Sequence, residues 1–254
     1  MAATRMVLIA DDQATNRALL VRLLNMLGHA AESASNGSEA LDKWATGQYA
    51  LLITDCGMPV MDGFALTRHV RSAEARTGQP RMPILAWTST PTPDELEKIT
   101  AAGMDGLLVK PVELDGLQQL LHRHLGNESV APDLTPLPLA PWVFPASVLD
   151  EEVLHRYSGG DRSIEKEILA EFDASSQADA ESIRLALVSA DPAKVAQCCH
   201  RLKGASRMIG AYSLASACAR LEQDGRAGDL AGIDAHQEDL FLEYRKLRVV
   251  LDAR

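Results

Sequence analysis

The feature that most constrains this chain is the stretch Leu51-Leu52-Ile53-Thr54-Asp55-Cys56-Gly57-Met58-Pro59-Val60-Met61-Asp62-Gly63. A short apolar run ends in a carboxylate, and a Gly and a Pro then break the strand. An uninterrupted apolar run suits a parallel sheet covered by helices on both faces, and such a sheet presents its chemistry at the carboxyl ends of its strands. Many α/β enzymes have a strand ending in Asp. The function therefore depends on what the rest of the chain brings to that edge.

The flanking sequence supplies four more strands and five helices. Met6 to Ala10 reads as a buried strand ended by Asp11-Asp12. Leu19, Leu20, Leu23, Leu24 and Leu27 then form one broad helix face closed by Gly28. Ala31 to Ala34 is a second strand, Asn36-Gly37 a turn, and Ser38 to Trp44 a helix. Tyr49 to Thr54 is the third strand. Phe64, Leu66, His69 and Val70 mark a helix ending near Gly78. Met82 to Trp87 is the fourth strand. Thr92-Pro93-Asp94-Glu95 is a helix start, with a Thr cap, an early Pro and a Glu placed for a capping box; that helix stops at Gly103. Leu107 to Val109 is the fifth strand, ending in Lys110-Pro111, and Leu114 to Leu125 the last helix. Strands alternating with helices predict a doubly wound, five-stranded parallel sheet over residues 1–125.

In such a sheet Asp11, Asp12, Asp55, Thr88 and Lys110 line one crevice. Clustered carboxylates repel one another, so a bound cation or a raised pKa must relieve them. A hard divalent ion such as Mg²⁺ suits oxygen ligands. A lysine and a threonine hydroxyl suit the oxygens of a phosphoryl group. These residue types point to metal-assisted phosphoryl chemistry with Asp55 as nucleophile.

These motifs — Asp11-Asp12 with Asn16-Arg17, Asp55 to Gly63, Thr88 and Lys110-Pro111 — resemble the receiver domain of bacterial two-component signalling, with its flavodoxin-like fold. The resemblance implies that Asp55 is the phosphoacceptor. It implies that Asp12, Asp55 and the Gly57 carbonyl hold Mg²⁺, with Asp11 assisting through water, and that Thr88 and Lys110 contact the phosphoryl group. The family often carries an aromatic switch residue on its fifth strand; Leu107 stands at that position here.

Residues 126–146 hold five of the twelve prolines, Pro132, Pro136, Pro138, Pro141 and Pro145, a density that breaks helices and strands. Leu134, Leu137, Leu139, Trp142, Val143 and Phe144 make this linker apolar, and its later part is expected to dock on a domain. From Ser147 onward strand signals stop. Val148, Leu149 and Val153 open a short helix, and Ser158-Gly159-Gly160-Asp161 ends it and starts another. Ile164, Ile168 and Phe172 mark a long helix reaching about Ser189. Asp191-Pro192 starts the next, running to about Ile209. Leu214, Cys218 and Leu221 mark a fourth, and Leu240, Tyr244, Leu247 and Leu251 a fifth. Amphipathic helices with short connections predict an all-α antiparallel bundle over residues 147–254.

Within the third of these helices Val195, Cys199, Leu202, Ser206 and Ile209 follow a four–three spacing and face the core. At about 100° per residue, His200 points roughly 140° away from that stripe, and Lys203, Gly204 and Arg207 share its solvent side. Gly204 costs about 1 kcal/mol relative to Ala in mid-helix, which makes sense where another backbone must approach. No acid lies between Asp191 and Glu222, whereas Lys194, Arg201, Lys203, Arg207 and Arg220 do, giving a local basic run suited to a phosphate. The run from His200-Arg201-Leu202-Lys203-Gly204 to Gly210-Ala211 resembles the histidine phosphotransfer (HPt) domain. The resemblance implies His200 as phosphoacceptor, Lys203 beside the phosphate, and Gly204, with Arg207 nearby, as the docking face for a receiver.

The acidic composition argues against general nucleic-acid binding. The formal net charge of −10 divides as −3 over residues 1–125, −2 over 126–146 and −5 over 147–254. Cys56, Cys198, Cys199 and Cys218 read as reduced thiols, and adjacent Cys198-Cys199-His200 is a poor metal site because Cys199 faces inward. With no signal-peptide pattern and no membrane-length apolar run, a cytoplasmic, membrane-free protein is expected. The combined expectation is a phosphorelay protein, resembling the C-terminal part of hybrid sensor kinases. It would exchange phosphate between Asp55 and His200, with an upstream sensor histidine kinase and a downstream response-regulator receiver as partners. No kinase core or DNA-binding motif is apparent. The other readings are an adaptor that binds a regulator without transfer, and a haloacid-dehalogenase-like phosphohydrolase using Asp11 or Asp12.

Overall fold

The computed structural model describes residues 6–126 and 148–254, apart from 48 and 90. The linker, with the docking expected of Trp142 and Phe144, lies outside the described residues. The chain divides into two compact units, one built on a sheet and the other helical.

The first unit runs β1 (Met6–Ala10), α1 (Ala14–Met26), β2 (Ala31–Ala34), α2 (Gly37–Trp44), β3 (Tyr49–Asp55), α3 (Gly63–Thr77), β4 (Ile84–Thr88), α4 (Pro93–Ala102), β5 (Gly106–Val109) and α5 (Leu114–Leu125). All strands pair in parallel, in the order β2-β1-β3-β4-β5. Side chains alternate across the sheet. Leu8, Ala10, Leu52, Ile84, Ala86, Leu107 and Val109 join one core with Ala40, Leu66, Val70 and Ile99 of α2, α3 and α4. The intervening residues Val7, Ile9, Leu51, Ile53, Leu85, Trp87 and Leu108 are buried as well, as are Leu19 to Leu24 of α1 and Leu117 to Leu121 of α5 on their apolar faces. Burial on both faces explains why these strands read as unbroken apolar runs. Leu107, at the position of the family's aromatic switch, is core.

Two local expectations change. Strand β4 starts at Ile84 rather than Met82, because α3 captures the Met82 backbone: Arg71 donates to its carbonyl at 2.9 Å and its N–H donates to Glu74 at 2.8 Å. The capping box of α4 is half formed. The Thr92 hydroxyl accepts from the Glu95 N–H at 3.2 Å, but the Glu95 carboxylate accepts from the Thr88 hydroxyl at 3.0 Å on the neighbouring strand end.

The second unit comprises α6 (Glu151–Ser158), α7 (Arg162–Val188), α8 (Pro192–Met208), α9 (Tyr212–Ala227) and α10 (Leu230–Asp252). Val148 and Leu149 precede the first helix instead of opening it, since Asp150 caps it by accepting from the Glu152 N–H at 3.1 Å. Asp161 and Asp191 cap α7 and α8 similarly. Val195, Cys199, Leu202, Ser206 and Ile209 are all essentially inaccessible, as their spacing predicts. The four cysteines are free and buried. Among the described residues no helix is long and apolar enough to cross a membrane.

The loop after β3 holds Asp55 in place by close backbone packing. A Cβ on Gly63 would lie 2.1 Å from the Asp55 carbonyl oxygen, and the Gly63 N–H donates to Cys56 at 3.2 Å. In the same loop Val60 adopts φ 69° and is 86% exposed, a left-handed conformation costly for a β-branched side chain. Gly63→Ala is expected to destabilise the unit by about 1–3 kcal/mol, and Val60→Asn to stabilise it by about 1 kcal/mol. Urea unfolding of the two variants checks both signs.

Candidate functional site

The sheet order puts β1 and β3 side by side, so the residues that leave their carboxyl ends meet. Asp11, Asp12 and Asp55 each offer a carboxylate oxygen within 4.8 Å of the others. Asp11 and Asp55 are buried and Asp12 is half-buried. Arg17 of α1 donates to the Asp11 carbonyl at 2.8 Å, and the Cys56 N–H donates to Asp55 Oδ1 at 3.0 Å.

Lys110 enters this cluster from β5. Its N–H donates to the Thr88 carbonyl at 2.8 Å. Its ammonium lies 2.6 Å from Asp11 Oδ2, 3.3 Å from Asp55 Oδ1 and 4.5 Å from the centre of the Trp87 ring. Burial alone would push this ammonium down, but the charges of Asp11 and Asp55 outweigh it and hold its pKa above the ordinary lysine value. The all-oxygen donor set and the acidic excess over one lysine fit a hard divalent cation. Among the described residues this is the cluster of metal-ligand type that the fold assembles.

Thr88 lies at the same strand edge, but its hydroxyl is bonded to Glu95 of α4. Alternation explains this. Ala86 faces the core under α2–α4, and Thr88, two residues on, faces the same way. Gly57 is exposed in the turn two residues past Asp55.

In the helical unit His200, Lys203, Gly204 and Arg207 all lie on α8. Their surroundings differ from the helix-wheel expectation. Glu222 of α9 meets His200 Nδ1 at 2.8 Å through Oε1 and Lys203 Nζ at 2.6 Å through Oε2, and Arg226 also contacts it. Lys203 therefore points to a carboxylate rather than to solvent, and Gly204, expected on the solvent side with it, is buried. The basic run is compensated in space: Arg201 pairs with Asp179 at 2.7 Å and Arg220 with Asp239 at 3.2 Å. A sequence window counts only one helix, while acids arrive from its neighbours. Arg207 sits in the last turn of α8, where its carbonyl accepts from the Gly210 N–H at 3.2 Å.

Sequence reasoning missed Glu222, Glu95 and Trp87 as site residues. A signal for Glu222 existed. His200 and Glu222 each stand eleven positions from Ala211 at the turn between α8 and α9. In an antiparallel helix pair, residues equidistant from the turn lie opposite one another. Burial opposes ionisation of Glu222, but hydrogen bonds and charges from His200 and Lys203 win and lower its pKa to about 2. A carboxyl held lower in the folded than in the unfolded chain stabilises above its unfolded value. Acidification from about pH 4.5 to about pH 2 therefore removes that contribution, on the order of 3 kcal/mol. Glu222→Gln is expected to lower stability at neutral pH and to flatten the loss across this acid window. Urea midpoints of the helical unit measured against pH check this.

Comparison with known proteins agrees with both halves. The response regulator receiver domain matches residues 7–122, and the Hpt domain matches residues 167–250. The virulence sensor protein BvgS of Bordetella bronchiseptica is 31% identical over 254 residues, covering 97% of this chain and 20% of that protein. The sensor protein EvgS of Escherichia coli K12 is 35% identical over 216 residues, covering 85% of this chain and 17% of that protein. The chain thus spans about a fifth of the length of these relatives. Among solved structures, the chemotaxis protein CheY4 of Vibrio cholerae is 32% identical with a TM-score of 0.44, covering 48% of this chain and 99% of that one. The chain therefore carries a response regulator receiver domain followed by an Hpt domain, and in that arrangement is similar to the phosphorelay modules of hybrid sensor kinases.

Proposed function

We propose that this chain relays a phosphoryl group between Asp55 and His200, with residues 1–125 as the receiver, 126–146 as the linker and 147–254 as the HPt domain. The observation that carries the reading is the buried Asp55 carboxylate in a cluster of acids, with the Lys110 ammonium already at 3.3 Å. From a phosphohistidine donor, an Asp55 oxygen attacks phosphorus, the P–N bond breaks, and the electron pair returns to the imidazole, which takes a proton from water. Toward His200, Nε2 attacks, the P–O bond breaks, and the carboxylate is regenerated.

Each neighbouring side chain has a role in this scheme. Asp12, Asp55 and the Gly57 carbonyl hold Mg²⁺, which when bound offsets negative charge on the transferred group. Asp11 assists through water, since one of its oxygens is already taken by Lys110 at 2.6 Å. Lys110 and Thr88 contact phosphoryl oxygens. In the helical domain Glu222 holds His200 Nδ1, which fixes the tautomer that leaves the Nε2 lone pair free. Lys203, bridged to the same Glu222, stands one turn from His200 to meet the phosphate. Arg207 and the part-exposed surface of α8 around His200 form the face on which a receiver docks, with the small Gly204 buried beneath it. A sensor histidine kinase as donor and a response-regulator receiver as final acceptor complete the relay.

Acetyl phosphate with Mg²⁺ is expected to label the unaltered chain at Asp55 and, through it, His200. Acid and alkaline hydrolysis distinguish the N-phosphoryl from the acyl phosphate. Asp55→Asn should take up no label from this donor, and His200→Gln should hold only the acyl form. Label on the receiver of folded Asp55→Asn would remove Asp55 from the scheme.

A further inference from the structure

Thr88 is a buried residue at the strand edge, 1% exposed, and its hydroxyl has one proton to donate. That proton is used: Oγ1 donates to Glu95 Oε1 at 3.0 Å. Glu95 comes from α4, where it occupies the third position after the Thr92 cap and leaves the capping box half formed to make this contact. Glu95 therefore ties the end of β4 to the first turn of α4. Bonds to a charged carboxylate are about twice as strong as neutral ones, so this is a firm hold on the hydroxyl.

We propose that Glu95 is a positioning residue for the phosphoryl chemistry, acting through Thr88 by competing with the phosphoryl group for its single hydroxyl proton. The inference rests on the reading of Asp55 as acceptor and Thr88 as a phosphoryl contact. One proton cannot serve both acceptors. Loading Asp55 requires Thr88 to release Glu95, and release of Glu95 frees the first turn of α4. The hydroxyl is thus available to the phosphoryl group only in the fraction of molecules that have let Glu95 go, and apparent affinity falls by that fraction. The phosphoryl group is held less tightly than the pocket allows, which suits an acceptor that must pass it on. Leu107 is buried core, so in this chain α4 senses the site through Thr88 and Glu95.

The test measures binding of beryllofluoride with Mg²⁺, a phosphoryl mimic, to the full chain by titration calorimetry. Glu95→Ala should bind about tenfold more tightly than the unaltered chain, and Glu95→Gln, which keeps a neutral acceptor, should gain less. In a Thr88→Ala background, the Glu95→Ala gain should vanish. That coupling separates competition for the proton from simple removal of a negative charge. A gain that persists without the Thr88 hydroxyl overturns the inference, as does a Glu95→Ala chain that binds no more tightly. If the unaltered chain binds no beryllofluoride while Asp55→Asn behaves identically, the acceptor reading itself fails and takes this inference with it. Thermal melts of the variants confirm that each is folded; should Glu95→Ala melt early, the Gln variant carries the comparison.

Discussion

The receiver half depends on one ammonium group. Three carboxylates crowd the carboxyl edge of the sheet, and two of them are buried. Such a group is tolerable only with opposite charge close by. Lys110 provides it by leaving β5, passing over Trp87 on β4, and meeting Asp55 on β3 and Asp11 on β1. The strand order dictates this reach. With β1 and β3 adjacent the acids are neighbours, and a cation from β5 must cross β4 to find them. A long side chain and an aromatic surface beneath it meet both needs, since a desolvated cation over an indole gains about 2 kcal/mol.

The helical half solves the mirror problem with one carboxylate. Glu222 serves His200, Lys203 and Arg226 together. Glu222 engages His200 Nδ1, which on the proposed relay leaves Nε2 as the attacking atom. The same carboxylate keeps Lys203 near the histidine. Removing it would leave a buried lysine uncompensated and the His200 ring without its partner.

Much of this was legible before any coordinates. Strand and helix periodicities placed all ten elements of the sheet domain, because both-face burial leaves apolar runs that few alternatives share. The acid cluster and Lys110 followed from topology alone, as strand ends of a parallel sheet converge on one edge. The partners of His200 did not follow. A helix wheel gives a direction but not a neighbour, so Lys203 appeared solvated until α9 supplied Glu222. The same limit hid the Thr88–Glu95 bond. Local pattern offered Glu95 a capping role, and a tertiary partner outcompeted the cap. Charge run and capping box are one-dimensional signals, and both failed where a second element arrived from the side.

On the proposed relay, the Asp55 and His200 sites are also matched in charge. Among the contacts described above, three carboxylates and one ammonium leave the Asp55 site with two net negative charges, which a divalent cation would cancel. Phosphorylation replaces a carboxylate charge with a dianion and adds about one negative charge. At His200, one carboxylate faces Lys203 and Arg226, leaving one net positive charge among these three groups, and a phosphoryl group there would add about two negatives. Each loaded site thus ends with about one negative charge uncompensated. On that count neither site would be an electrostatic sink for the group, and exchange between them would depend on hydrogen bonds such as the one proposed for Thr88 and on supply from partners. Reversibility of this kind is what a relay station, as opposed to a terminal acceptor, requires.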